Sequence, residues 1–127
     1  MCYGYNNQTS AGREITFIAQ SILCDDALVF GWYRFKGDAG ARMATACPNQ
    51  FSFGRCVTLH QVWLNGTHPK AEDGEVERKI CFSFRACCSQ TLYIKGKICG
   101  LFYVYRLQPP PVCPNRYCGA DGTKLTQ

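Results

Sequence analysis

Ten cysteines in a chain of 127 residues are the feature that most restricts what this protein can fold into. They stand along the whole sequence, at Cys2, Cys24, Cys47, Cys56, Cys81, Cys87, Cys88, Cys99, Cys113 and Cys118. Their even number and wide spread predict complete pairing into disulfides in an oxidising compartment. A structural zinc site would require closely spaced ligand pairs. The chain has no CxxC pair, and neither His60 nor His68 lies near two cysteines. We therefore expect no metal site and no thiol redox centre.

The charge of the chain argues against a nucleic-acid partner. Fourteen Lys and Arg against nine Asp and Glu give a net charge of +5. The basic residues are scattered singly between Arg13 and Lys124, and Arg78-Lys79 is their only adjacent pair. Nucleic-acid binding usually needs a clustered basic patch. Scattered charges instead predict a solvated surface.

No segment of the sequence predicts membrane insertion. A spanning helix needs about 18 consecutive apolar residues, and the longest apolar stretch, at 15–23, is short and flanked by charged residues. Met1 is followed directly by Cys2, without the apolar run of a signal peptide. If the protein is secreted, we expect this chain to be a piece of a longer precursor.

Side-chain alternation predicts strands in several places. Within "VFGWYRFKGDAGARM" (29–43), polar and apolar residues alternate before Gly37 and Gly40, which predicts a β-hairpin with a glycine-rich connection. Residues 57–62 alternate in the same way. Segment 80–88 is compatible with a strand or a short helix, and 92–107 predicts two strands separated at Gly96 or Gly100. The helix or strand identity of 15–23 is not settled by periodicity.

The ends and the composition complete the fold prediction. Residues 108–127 contain four prolines and no periodicity, which predicts an extended tail held by Cys113 and Cys118. Aromatic and β-branched residues in short runs, separated by Gly and Pro, are typical of strands. We therefore predict a mainly β, small disulfide-rich domain with short antiparallel strands and little helix.

Catalytic chemistry has few candidates in this sequence. We expect His60 to be a half-exposed residue of a strand, and His68 to pack against the neighbouring turn or meet water. Four carboxylates fall in one polar segment that predicts a solvated loop, and that segment is too short for a calcium-binding loop: Glu72, Asp73, Glu75 and Glu77. Paired cysteines leave no thiolate nucleophile. We predict no enzymatic activity and no cofactor.

Two triplets satisfy the acceptor rule for N-linked sugar. Asn65-Gly66-Thr67 lies in "WLNGTHP", where Asn-Gly favours a hairpin turn and Pro69 stops the strand. We expect such a tip to be exposed, so Asn65 with Thr67 is a predicted glycosylation site. An unmodified Asn-Gly turn is the alternative. Asn7 with Thr9 forms the second acceptor triplet, near the terminus.

Five segments, in their order along the chain, resemble a known family: "GWYRFKGDAGARM", "WLNGTHP", "ERKICFSFRACC", "KICGLFYVYRL" and "PPPVCPNRYC". They are similar to the cysteine-rich domain of uromodulin and of the major zymogen-granule membrane glycoprotein, which has eight-cysteine and extended ten-cysteine forms. The resemblance covers 24–118. It implies a domain at 24–118, an N-terminal extension at 1–23 tied in by Cys2, and a C-terminal tail at 119–127.

The resemblance also implies a disulfide pattern, which the sequence alone does not select. The implied pairs are Cys2–Cys99, Cys24–Cys113, Cys47–Cys87, Cys56–Cys118 and Cys81–Cys88. Cys87 and Cys88 receive different partners in this pattern, as neighbours on opposite faces of a strand would.

Function is implied by the same resemblance: a secreted or cell-surface, non-catalytic domain of a mosaic glycoprotein beside other modules such as the zona-pellucida type. Relatives display an oligomannose sugar that bacterial lectins bind, at a position similar to Tyr105–Gln108 here, where Arg106 stands and the acceptor triplet is missing. We expect an adhesion or protein-interaction scaffold with extracellular proteins or lectins as partners. The alternative is a glycan-display module acting through Asn65, and a small secreted enzyme or inhibitor is a more distant possibility.

Overall fold

The computed structural model describes residues 2–15, 23–47, 56, 58, 60–83, 86–111 and 115–121. Nine strands lie in these parts of the chain: β1 Asn6–Gln8, β2 Gly31–Phe35, β3 Arg42–Met43, β4 His60–Asn65, β5 Val76–Phe82, β6 Gln90–Cys99, β7 Phe102–Leu107, β8 Asn115–Tyr117 and β9 Gly119–Ala120. The described helical segments are 3₁₀ turns of three residues: Ala11–Arg13, Asp25–Ala27, Gly37–Ala39 and Ala71–Asp73. The predicted mainly β fold with little helix is confirmed. None of the helices in the described residues is long and apolar enough to cross a membrane.

Seven of these strands form one sheet in the order β1-β2-β7-β6-β5-β4-β8, and β3 pairs with β9 in a separate ribbon. The pairs β1–β2 and β4–β8 are parallel, and the other pairs are antiparallel. The prediction for 92–107 is confirmed, with the break at Gly100: β6 and β7 form a hairpin through Gly100-Leu101. Segment 80–88 begins as the end of strand β5.

One face of the large sheet carries the main core. Its buried side chains come from alternate positions of six strands, as a period of two requires: Tyr33, Phe35, Val62, Leu64, Ile80, Phe82, Ile94, Tyr105, Leu107 and Tyr117. Ala39 and Met43 of the ribbon region pack against them. We call this the inner face. The opposite, outer face is defined by the register below.

The predicted hairpin at 29–43 is wrong. β2 pairs with β1 and β7, whereas β3 pairs with β9 in the other sheet. The connection between them contains the 3₁₀ turn Gly37–Ala39 followed by Gly40, whose φ of 100° is a conformation that favours glycine. A Cβ on Gly40 would lie 2.5 Å from the backbone N of Ala120. The glycine therefore lets the chain leave the large sheet and run closely against β9.

The predicted extended tail is also wrong for residues 115–120. Asn115–Tyr117 form the edge strand β8 beside β4, Gly119–Ala120 form β9, and all of them are buried. A Cβ on Gly119 would lie 2.0 Å from the carbonyl oxygen of Ala39. Close packing of these two backbones therefore requires glycine. Residues 122–127 lie outside the described part of the chain.

The N-terminal segment takes part in the same fold. β1 is the outermost strand of the large sheet, and Ile15 donates its backbone N–H to Gly119 O at 3.0 Å. Cys2 is bonded to Cys99 at the end of β6. The domain boundaries at 24 and 118 stay a prediction.

A buried ion pair completes the free edge of β8. The Arg13 guanidinium donates to Asp25 at 2.7 and 2.8 Å, and both side chains are almost fully buried. Arg13 also donates to the Tyr117 carbonyl at 3.0 Å, while Asp25 accepts the Tyr117 N–H at 2.8 Å. The pair thus satisfies both backbone groups of Tyr117, as a neighbouring strand would.

We expect Arg13→Ala to lower the free energy of unfolding by about 3 to 5 kcal/mol, because it leaves the Asp25 carboxylate buried without its main partner. The control is Arg42→Ala, which breaks the half-exposed 2.9 Å ion pair with Asp121 and should cost about 1 kcal/mol or less. The measurement is urea unfolding at neutral pH with disulfides intact. Equal losses in the two variants would contradict this assignment.

Candidate functional site

The acceptor triplet at Asn65 lies where β4 ends, and its three residues are exposed. Asn65 pairs with Lys79 of β5, but the two strands are joined by a connection of ten residues, 66–75. The predicted tight Asn-Gly hairpin turn is therefore wrong, while its predicted exposure is observed. The side-chain Nδ2 of Asn65 donates to Cys81 Sγ at 3.4 Å. Since an amide nitrogen has two hydrogens, one remains for substitution.

The residues after the triplet anchor it to the sheet. Arg78 donates from Nε to the Thr67 carbonyl at 2.9 Å. His68 and Pro69 then turn inward, and Pro69 is buried. The exposed triplet therefore lies between a strand end and a packed anchor, which restricts where the Asn65 side chain can point.

His68 packs into the protein instead of against the turn or water, so that expectation is wrong. Its ring lies 4.4 Å from the Tyr103 ring and 5.7 Å from the Tyr105 ring, measured between centroids. The Tyr105 hydroxyl accepts the Met43 N–H at 2.9 Å and meets His68 Nε2 at 2.5 Å. Burial raises the pKa of Tyr105, so the phenol keeps its proton and donates it to His68.

His68 is accordingly neutral at physiological pH. Burial lowers its pKa from 6.5 to about 4; the positive charges of Arg42 and Arg78 add to the lowering, and Asp121 opposes it. A neutral imidazole with Nε2 as acceptor fits the Tyr105 hydrogen bond. The His68–Tyr105–Met43 chain links the connection after Asn65 to β7 and to the ribbon. This is a structural role for His68.

This arrangement predicts a pH dependence of stability. The folded-state pKa of His68 is depressed, so the unfolded chain binds the proton more readily, and stability should fall as pH drops from about 6.5 towards 4. The expected loss is about 2 to 3 kcal/mol, measured by urea unfolding at pH 7.5 and 4.5. His68→Gln, which keeps an acceptor for Tyr105, should show a smaller loss. The same loss in both proteins would refute the assignment to His68.

The other candidate residues do not converge on a reaction centre. Glu72, Asp73 and Glu75 are exposed in the β4–β5 connection, and Glu77 is exposed on β5. Asp73 accepts the backbone N–H of Lys70 at 2.8 Å. His60 begins β4, and its side chain lies outside the described residues. Within the described ranges, no three His, Cys, Asp or Glu side chains are grouped so as to hold a metal ion.

Four disulfides are present among the described residues: Cys2–Cys99, Cys47–Cys87, Cys56–Cys118 and Cys81–Cys88. They are four of the five pairs that the resemblance implies. Cys24 is also disulfide-bonded, and Cys113 lies outside the described residues. No free cysteine occurs in the part of the chain that the structure describes. These bonds tie the N-terminal segment, β6 and the β8–β9 region to one another.

The outer face of the sheet follows from the strand register, because residues paired across strands point to the same side. Two rows cross it. One row contains Trp32, Arg106, Lys95 and Glu77, and the other contains Asn65, Lys79 and Tyr93. Lys97, two residues after Lys95, and Arg34, two residues after Trp32, point to the same side. Sequence reasoning missed this clustering of basic residues, and the strand alternation was the only signal available for it.

Asn7 of β1 pairs with Arg34 and is exposed, so the second acceptor triplet also faces outward. Arg106 is exposed on β7, with its guanidinium 4.5 Å from the centre of the Phe30 ring. The outer face is covered in one place, where Trp63 and Cys81 are buried and Trp63 Nε1 donates to Cys87 O at 2.8 Å. Both acceptor asparagines thus lie on one face, five strands apart in the sheet order.

Comparison with known proteins adds to this geometry. Residues 33–119 match the family described as the uromodulin-like, eight-cysteine domain. The chain is 39% identical over 119 residues to pancreatic secretory granule membrane major glycoprotein GP2 of Canis lupus familiaris, covering 92% of this chain and 23% of that protein. It is 43% identical over 119 residues to uromodulin of Mus musculus, covering 92% of this chain and 18% of that protein. The chain spans about a fifth of the length of these curated relatives.

Proposed function

We propose, from the premise that the chain belongs to the uromodulin-like, eight-cysteine domain family, that it is an extracellular, non-catalytic interaction module of a longer glycoprotein. The observation that carries this proposal is the set of disulfides joining elements far apart in sequence, up to 97 residues in Cys2–Cys99. Such bonds persist in oxidising, extracellular environments. A rigid sheet without a reaction centre in its described residues is suited to presenting a surface to other proteins.

The stapling explains how a small domain holds a fixed surface. Each disulfide limits the unfolded chain and adds stability, typically about 2 to 4 kcal/mol, although overlapping loops do not add independently. Cys56–Cys118 encloses a segment that includes most of the large sheet, and Cys47–Cys87 crosses the same region. Shape is therefore retained independently of any partner, which is what a scaffold for adhesion requires.

The proposal is tested on the chain secreted from a eukaryotic host. Peptide mapping without reduction should find every cysteine in a disulfide, and reduction should abolish both folding and partner binding. The control is the same protein reoxidised after mild reduction, which should regain its fold. Free thiols in the secreted, folded protein, or partner binding that survives complete unfolding, would refute the proposal.

A second function, glycan display, is favoured by the geometry at Asn65. The triplet is exposed, it ends a strand whose position is set by pairing, and its side-chain nitrogen has one hydrogen engaged with Cys81 Sγ. A sugar attached there would leave the sheet from a defined point. Asn7 offers a second attachment point on the same face, on the edge strand β1. A lectin would then recognise the sugar, and the sheet would serve as its base.

We expect Thr67→Ala to remove the sugar on Asn65 and abolish lectin capture that depends on it, because the acceptor triplet requires Ser or Thr at the third position. Thr67→Ser is the matched control and should keep both, since it preserves the hydroxyl. Asn7→Gln, measured in parallel, reports the contribution of the second site. Intact-mass measurement and lectin capture give the readout. Unchanged mass and capture in Thr67→Ala would refute glycan display from Asn65.

A further inference from the structure

Five basic side chains lie together on the outer face, although they are separated in sequence: Arg34, Lys79, Lys95, Lys97 and Arg106. Two carboxylates accompany them. Glu77 lies opposite Lys95, and Glu75 contacts Lys95 Nζ at 3.6 Å. Five cations against two carboxylates leave this face with a net charge of +3. The other four basic side chains make no ion pair with the described residues.

Aromatic rings lie between these cations and hold the two arginines in place. The Arg34 guanidinium lies 4.0 Å from the centre of the Phe102 ring and donates to the Tyr5 hydroxyl at 3.3 Å. Arg106 lies over Phe30. A guanidinium stacked on a ring keeps donors at its edge, and these match the oxygens of a sulfate or carboxylate group.

The dimensions of the face suit an extended ligand. Strands are about 4.8 Å apart, so the row from Trp32 through Arg106 and Lys95 to Glu77 extends about 14 Å. Lys97 and Lys95 are about 7 Å apart along β6. Val104, opposite Lys97, is fully buried, as expected where long basic side chains lay their methylene stems over a neighbour. These cations are therefore spread over a broad surface and do not enclose a single small anion.

We propose that this face binds a sulfated polysaccharide of the glycosaminoglycan class. Charge complementarity selects a polyanion, and the exposed rings of Tyr93 and Phe30 offer flat surfaces on which sugar rings stack. An acidic peptide could gain backbone hydrogen bonds only by adding a strand to a free sheet edge. The basic residues lie on β2, β7, β6 and β5, all of which are already paired on both sides.

The inference rests on the proposed extracellular role and names the partner class for it. The two predicted sugar positions, Asn7 and Asn65, lie at the two sides of the basic strands and leave the middle of the face open. A polysaccharide would therefore lie between the two attached sugars, over β7 and β6.

The test is calorimetric titration of the secreted, oxidised full chain with a heparin octasaccharide. We expect binding that weakens about 30-fold between roughly 50 and 200 mM salt, if about three charges are neutralised. Arg106→Gln and Lys97→Gln should each weaken binding by about fivefold to tenfold, the expected loss of one charge-assisted contact. Lys70→Gln, which removes an exposed charge from the β4–β5 connection, should change it less than twofold, as expected for an exposed charge distant from the ligand.

Two further ligands separate the alternatives. Desulfated heparin should not bind, and poly-L-glutamate should bind far more weakly than heparin. Equal binding of poly-L-glutamate, or equal effects of Lys70→Gln and Arg106→Gln, would overturn the proposal in favour of general attraction of anions. Absence of heparin binding by protein with all cysteines paired would also overturn it while leaving the proposed extracellular module intact. Free thiols in the secreted protein would instead count against that module.

Discussion

The buried Arg13–Asp25 pair is the interaction on which the arrangement of the chain ends depends. It satisfies both backbone groups of Tyr117 and thereby allows β8, a three-residue edge strand, to lie buried beside β4. Arg116 also points its guanidinium towards Asp25, at 3.9 Å. Two arginines around one carboxylate are expensive to bury unless hydrogen bonds compensate. Here the compensation comes from the backbone, so the N-terminal segment and β8 stabilise each other.

Disulfides then divide the two faces of the large sheet into different roles. The inner face is filled by the main core and the ribbon, where Gly40 and Gly119 allow backbones to meet closely. The outer face is covered only around Trp63 and Cys81, and the remainder is left to polar side chains. A domain of this size devotes one face to stability and leaves the other for recognition, which is common for antiparallel sheets.

The two proposed functions meet on that outer face. Acceptor asparagines lie at its sides, and basic and aromatic residues occupy its middle. The neutral His68 supports one of these sites from within, because it fixes the connection after Asn65 to Tyr105 and the ribbon. The sheet thus places sugar attachment and cationic recognition side by side through strand register alone.

Much of this was predictable from the sequence, and the limits have physical causes. The cysteine count, the acceptor triplets and the two-residue alternation are local properties of the chain, so they determined a disulfide-rich β domain with exposed polar positions. Partners across strands are not local: the hairpin expected at 29–43 failed because β2 found β1 and β7, and the expected tail became β8 through Arg13 and Asp25, about a hundred residues earlier. For the same reason, basic residues scattered singly along the sequence form one cationic face only after tertiary pairing, since register decides which side chains become neighbours.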